Sequence, residues 1–182
     1  MKLLDRSPLR DHLQTLARYH LWATQRLLRS VDALTEADYR RDVGLFFKSV
    51  HGTLNHLLLV EDQIWGPRFT TGASPSLALD TEVETDRDAL RARLLEAVVA
   101  WMPLLETWPE LRLHETLVYD RTDGQHVEVP FAPTLAHVFN HGTHHRGQVC
   151  AALTAFGQPA PQLDLVAMLQ EERPALAVRQ AT

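Results

Sequence analysis

The segment from Thr134 to about Phe156 constrains the fold more than any other. It runs without a proline until Gly157 and Pro159 close it, and apart from its histidines it is largely apolar. Such a stretch predicts a long helix with a defined stop. A helix of this kind gains most of its stability by packing an apolar face on other elements. Partners are present. Leu13, Leu16, Trp22, Leu27 and Leu28 recur at near-helical spacing, predicting a helix from Pro8 to about Val31 with Ser7 as N-cap and Pro8 at the first helical position. After the polar connection TEADYRRDVG, Ser49 opens a second helix through Leu54, Leu57, Leu58, Ile64 and Trp65 to about Pro67. A third runs from about Asp86 to Glu106, with Pro103 placed to bend its last turn. The intervening GPRFTTGASPSLALDTEVETD has no sustained period and predicts a long loop. Thr116–Tyr119 and Val127–Val129 flank Asp123-Gly124, the pattern of a short hairpin. A final short helix is expected over about Leu163–Glu172, followed by a frayed tail. The fold expected is all-α: a four-helix bundle over residues 1–182 as one domain, with a β-hairpin before the fourth long helix and a short C-terminal helix.

That fourth helix carries unusual chemistry. Four of the chain's ten histidines fall between His137 and His145, in HVFNHGTHHRGQV. At about 100° per residue, His137, His141, His145 and Gln148 form a stripe along one face, and His144 lies close to its other edge. Imidazoles at i and i+4 can converge on one ion, and zinc, nickel, cobalt or iron(II) accept such nitrogen ligands. Two ligands from one helix leave the site incomplete, so a third must come from across the bundle. His51 and His56 on the second helix are five residues apart and are predicted not to face inward together; spacing does not choose between them.

Other chemistries are excluded. No Glu sits three residues before a His, which removes the di-iron bundle signature, and there is no His-Glu-x-x-His, Cys-x-x-Cys, Gly-x-Ser-x-Gly or phosphate-binding Gly loop. A formal net charge of −5 without a basic run argues against nucleic acid as partner. Charges interrupt MKLLDRSPLRDHLQ, so neither a signal peptide nor a membrane span is expected; the single Cys150 permits no internal disulfide, and a cytoplasmic location follows. Cys150 reads as a small buried hydrophobe on the far side of its helix, Glu61 and Asp62 as solvated charges rather than partners of an imidazole, Tyr19 and Trp22 as core, and Arg146 as structural. Gln148 is placed to orient an imidazole.

Four segments resemble the DinB/YfiT-like family of metal-dependent bundles: ARYHLWATQRLL (17–28), SVHGTLNHLLLVEDQIW (49–65), HVFNHGTHHRGQV (137–149) and LDLVAML (163–169), in the family's order. The resemblance implies one metal-binding His on the second helix and two ligands four apart on the fourth. Carried over by position, these are His56, His141 and His145, in preference to His51 and His144. A related maleylpyruvate isomerase branch has Glu where this chain has His141, so the resemblance is to the three-His branches. It implies a divalent ion, zinc or nickel, and a low-molecular-weight thiol S-transferase acting on a small electrophile, with bacillithiol or mycothiol as the type of thiol, in detoxification or stress response. A stress-associated metal-binding protein without catalysis and a metal-dependent hydrolase are the alternatives. By analogy a homodimer is implied.

Overall fold

The computed structural model describes residues 7–180 except positions 76 and 122, with side chains through Arg173. Helix α1 spans Pro8–Val31, and Ser7 Oγ accepts the Arg10 N–H at 3.2 Å, as the Ser-Pro start requires. A short α2, Glu36–Arg40, interrupts the polar connection. Helix α3 covers Val50–Leu58 behind its Ser49 cap. It continues as a π-helical stretch, Leu59–Trp65, and then as α4, Gly66–Thr71. The expected loop therefore begins later than its composition suggests. Pro67 sits in the first turn of α4, directly after the π-helical stretch, and Gly72 ends the helix at φ 71°.

The expected third helix is two helices, α5 (Arg87–Val99) and α6 (Trp101–Thr107). The break at Ala100 has a simple origin: Pro103 cannot donate to the Val99 carbonyl four residues earlier. A 3₁₀ turn, Glu110–His114, precedes the hairpin of β1 (Thr116–Asp120) and β2 (His126–Pro130), paired antiparallel with Leu117 opposite Val129. Helix α7 spans Phe131–Ala155. It starts three residues before the expected Thr134, because Pro133 falls in the first turn, where no N–H is needed. Helix α8, Leu165–Gln180, outruns the short helix expected there.

The long helices close a four-membered ring: α1 packs on α7 and α5, and α3 packs on the same two. The two main apolar clusters lie at opposite ends. Leu27, Leu58, Leu94 and Val149 belong to one, and Leu13, Phe69, Trp101 and Phe139 to the other. Between them runs a buried polar layer. Arg146 Nη1 donates to His20 Nδ1 at 2.8 Å and to Thr24 Oγ1 at 3.3 Å, and Nη2 donates to Thr143 Oγ1 at 2.9 Å. Because His20 Nδ1 accepts, its proton sits on Nε2, which donates to Glu61 Oε1 at 2.9 Å. The Trp101 indole N–H donates to the other Glu61 oxygen. Gly142 makes the close approach possible, since a Cβ there would lie 2.3 Å from His20 Cε1. No helix among the described residues is long and apolar enough to cross a membrane.

Candidate metal centre

His56 lies near the end of α3, and His141 and His145 lie one turn apart on α7 where the two helices meet. Their Nε2 atoms converge. His141 Nε2 is 3.3 Å from His56 Nε2 and 3.1 Å from His145 Nε2. Of the described residues, these three form the one group whose ligand atoms could share an ion, all within 4.8 Å of one another.

Two rings are oriented from behind. The Leu79 carbonyl accepts from His56 Nδ1 at 2.8 Å, and Gln148 Oε1 accepts from His145 Nδ1 at 2.8 Å. Each Nδ1 therefore carries its ring's proton, and each Nε2 presents a lone pair. Leu79 is held in place by the 79–84 segment, which Asn55 pins: Asn55 Oδ1 accepts from the Val83 and Glu84 N–H groups, both at 2.9 Å, and Nδ2 donates to the Glu84 carbonyl at 2.9 Å. Phe47 stacks on the His56 ring with centroids 3.9 Å apart. His141 Nδ1 is buried without a partner among the described residues. Burial pushes the pKa of His56 down to about 4 and that of His141 to about 3, with neighbouring imidazoles adding to the second shift; burial lowers His145 as well. All three rings are neutral at neutral pH.

This donor set fits a divalent ion. Neutral rings give His56 and His145 no proton to offer His141, and the one proton of His141 can satisfy only one of them. A cation satisfies all three lone pairs. Nitrogens bound at about 2.0–2.1 Å to a tetrahedral ion stand roughly 3.3 Å apart, close to the separations seen here. In front of the rings opens a cleft of about 500 Å³, lined by His56, His141, His137, apolar side chains and the charged Arg68, Arg121 and Asp123, which leaves room for a further ligand.

The remaining expectations sort as follows. His51 and His56 do diverge around α3, yet both are buried, at 5% and 3% exposure. The 79–84 segment covers His51, which pairs with Glu82 and packs edge-on against Tyr39. His144 is exposed and accepts from Gln148 Nε2 at 3.2 Å. His137 stands exposed at the cleft, its ring 5.5 Å from that of Trp65. Asp62 is a surface charge, but Glu61 is not: at 3% exposure it closes the buried polar layer and orients His20, an imidazole outside the triad. Arg146 is structural in that same layer and, among the described residues, has no direct carboxylate partner. Tyr19 packs in a small cluster with Ala23 and Met168, half-buried Trp22 packs against it, and Cys150 is half-buried against the core, its thiol pKa raised by burial. Phe47 and the Leu79 carbonyl carry no sequence signal for their roles; both depend on how non-helical segments fold over α3.

Comparison with known proteins places this geometry. The model of the DinB family matches residues 9–176. The chain belongs to the DinB family. It is 26% identical over 163 residues to Protein DinB of Bacillus subtilis, covering 85% of this chain and 91% of that one. Among solved structures it shares the fold of YfiT from Bacillus subtilis, with a TM-score of 0.62 at 15% identity, over 87% of this chain and 94% of YfiT. YfiT is described as a probable metal-dependent hydrolase with an unusual four-helix bundle topology.

Proposed function

We propose that this DinB-family chain binds one divalent ion, zinc or nickel, through His56, His141 and His145, and acts as a low-molecular-weight thiol S-transferase. One observation carries the reading: three neutral imidazoles present converging Nε2 atoms at the edge of an open cleft. A divalent ion held there supplies Lewis acidity, which lowers the pKa of a thiol or a water at its open position. The chain's own groups do the rest. Leu79 and Gln148 fix two rings, Val60, Ile64 and Leu77 form one apolar wall of the cleft, and His137 at the rim is placed to take the thiol proton. In the transfer, the S–H proton leaves, a bond forms from sulfur to the electrophilic carbon, and the leaving group departs with its bonding pair.

Hydrolysis is the second reading, favoured by the description of YfiT. The local chemistry gives it less support. Among the described residues no carboxylate joins the triad; Glu61 is occupied by His20 and Trp101, and Asp123 is an exposed cleft residue. Among the described residues, a carboxylate base of the kind that activates water at such ions is missing from the cleft's histidine edge, and His137 would have to serve instead. The test is conjugation of monochlorobimane by cobalt-substituted protein with bacillithiol, mycothiol, glutathione and cysteine. A sulfur-to-cobalt charge-transfer band with at least one thiol, together with conjugation that Cys150→Ala leaves intact, is the expected result. Spectra and rates indifferent to all four thiols would reject the transferase, and ester and amide hydrolysis would then be assayed.

A further inference from the structure

Most described arginines face carboxylates: Arg10 meets Glu110 at 2.9 Å, Arg26 meets Glu171 at 2.6 Å, and Arg112 meets Glu115 at 2.8 Å. Two arginines in the cleft do not. Arg68 of α4 is half-buried, with its guanidinium 4.8 Å from the Trp65 ring centroid and 4.4 Å from that of Tyr119. Its Nε donates to Ser74 Oγ at 3.2 Å. Arg121, just beyond β1, donates from Nη1 to Gln125 Oε1 at 3.3 Å. Among the described residues neither has a carboxylate partner. Both line the cleft that holds His56 and His141.

Leaving two guanidinium groups together and unpaired is unfavourable. Burial lowers the pKa of Arg68, and the charge of Arg121 acts in the same direction. The aromatic faces of Trp65 and Tyr119 hold the Arg68 plane, so the edge of its fork is preorganised for a planar oxyanion. Asp123 also lines the cleft, but its Oδ1 accepts the Gln125 N–H at 3.0 Å within its own turn. Side chains alone, two cations and one anion, leave one net positive charge in the cleft lining, which attracts an anion.

We propose that the cleft binds a small organic carboxylate, its anionic end held by Arg68 and Arg121 and its apolar body lying along Val60, Ile64, Trp65 and Leu77 toward the three imidazoles. The proposal rests on the metal-enzyme reading for treating the cleft as the substrate site, but the anion contact itself uses no metal. It names the substrate class: an electrophile or thiol that carries a carboxylate remote from its reacting atom.

The test is calorimetric titration of the zinc-loaded full chain with 3-phenylpropanoate and its neutral isostere 3-phenylpropanamide. The acid is expected to bind about tenfold or more tightly than the amide, because charge-assisted hydrogen bonds are worth more than neutral ones. That preference should shrink as salt rises. Arg68→Gln and Arg121→Gln should each erase most of the preference while leaving amide binding and zinc content unchanged. Arg121 is exposed, so its substitution does not threaten folding. The acid preference should persist in His141→Ala, which removes the ion. Equal binding of acid and amide would overturn the proposal. So would a preference that survives both arginine substitutions but vanishes in His141→Ala, since the carboxylate would then sit on the ion. If the wild type holds no zinc, the metal reading fails, and the acid–amide comparison in wild type and arginine variants still decides this one.

Discussion

Gly142→Ala is a substitution whose sign is opposite to helix propensity. In the middle of a helix, Ala is worth about 1 kcal/mol more than Gly. Here the new Cβ would lie 2.3 Å from His20 Cε1, 2.8 Å from His20 Nδ1 and 2.9 Å from Arg146 Nη1. None of these is a free side-chain end. His20 is fixed between Glu61 and Arg146, and Arg146 is itself 1% exposed. Relief requires either that α1 and α7 separate or that the buried hydrogen bonds break. Overpacking costs about 1–3 kcal/mol, and a weakened bond to a charged group about 1.5–3 kcal/mol. Either cost alone, less the propensity gain of about 1 kcal/mol, leaves a net loss of up to about 2 kcal/mol, and both together about 1.5–5 kcal/mol. Urea denaturation in chelator should show a lower midpoint with an unchanged m-value. Gly147→Ala on the same helix is the control: a Cβ there meets nothing within 4 Å, so it should stabilise by about 0.5–1 kcal/mol. If Gly142→Ala were as stable as Gly147→Ala, the close approach of His20 and Arg146 to Gly142 would not exist in solution.

Two further outcomes follow from buried groups. Glu61→Ala should cost about 3–5 kcal/mol in urea denaturation, because it leaves the His20 Nε2–H and the Trp101 indole N–H without an acceptor and removes the carboxylate one hydrogen bond beyond the buried Arg146; a loss under about 1 kcal/mol would mean that Glu61 is solvated. In the metal-free protein, His56 and His141 titrate near 4 and near 3, below the ordinary 6.5. The unfolded chain therefore binds more protons than the folded one between pH 6.5 and those values. Stability should be full above about pH 6.5 and fall by about 1.4 kcal/mol per pH unit for each extra proton on the unfolded chain, levelling only below the folded values. A flat profile between pH 6.5 and 4 would contradict neutral, buried imidazoles.

Much of this architecture is legible in the sequence, and the gaps have physical causes. The Ser7-Pro8 start and the Gly157-Pro159 stop are local chemistry, so helix ends read correctly there. The i, i+4 spacing of His141 and His145 places both rings on one face whatever the neighbours do. Spacing does not choose His56 over His51; the family resemblance does, and the structure brings that ring to the other two. The π-helical stretch Leu59–Trp65 is invisible to a 3.6-residue period, and its i→i+5 bonding changes which residues face inward. Glu61 reads as surface for a different reason, being a carboxylate beside exposed Asp62; its i+3, i+4 and i+7 spacing from Leu58, Leu57 and Leu54 puts it on the buried face, where His20 and Trp101 receive it. His20 and Gly142 carry no signal apart from each other, because their relation is a contact between α1 and α7. The 79–84 segment has the composition of a loop, and only its tertiary contact with Asn55 makes it the backing for His56.

The central claim is that one ion sits on three particular imidazoles, and metal stoichiometry tests it most directly. Elemental analysis after dialysis against zinc should give about one ion per chain for the wild type, His51→Ala and His144→Ala. It should fall to background for His56→Ala, His141→Ala and His145→Ala, each checked for folding by circular dichroism. A folded His56→Ala variant that keeps a full complement of zinc, while His51→Ala loses it, would contradict the account.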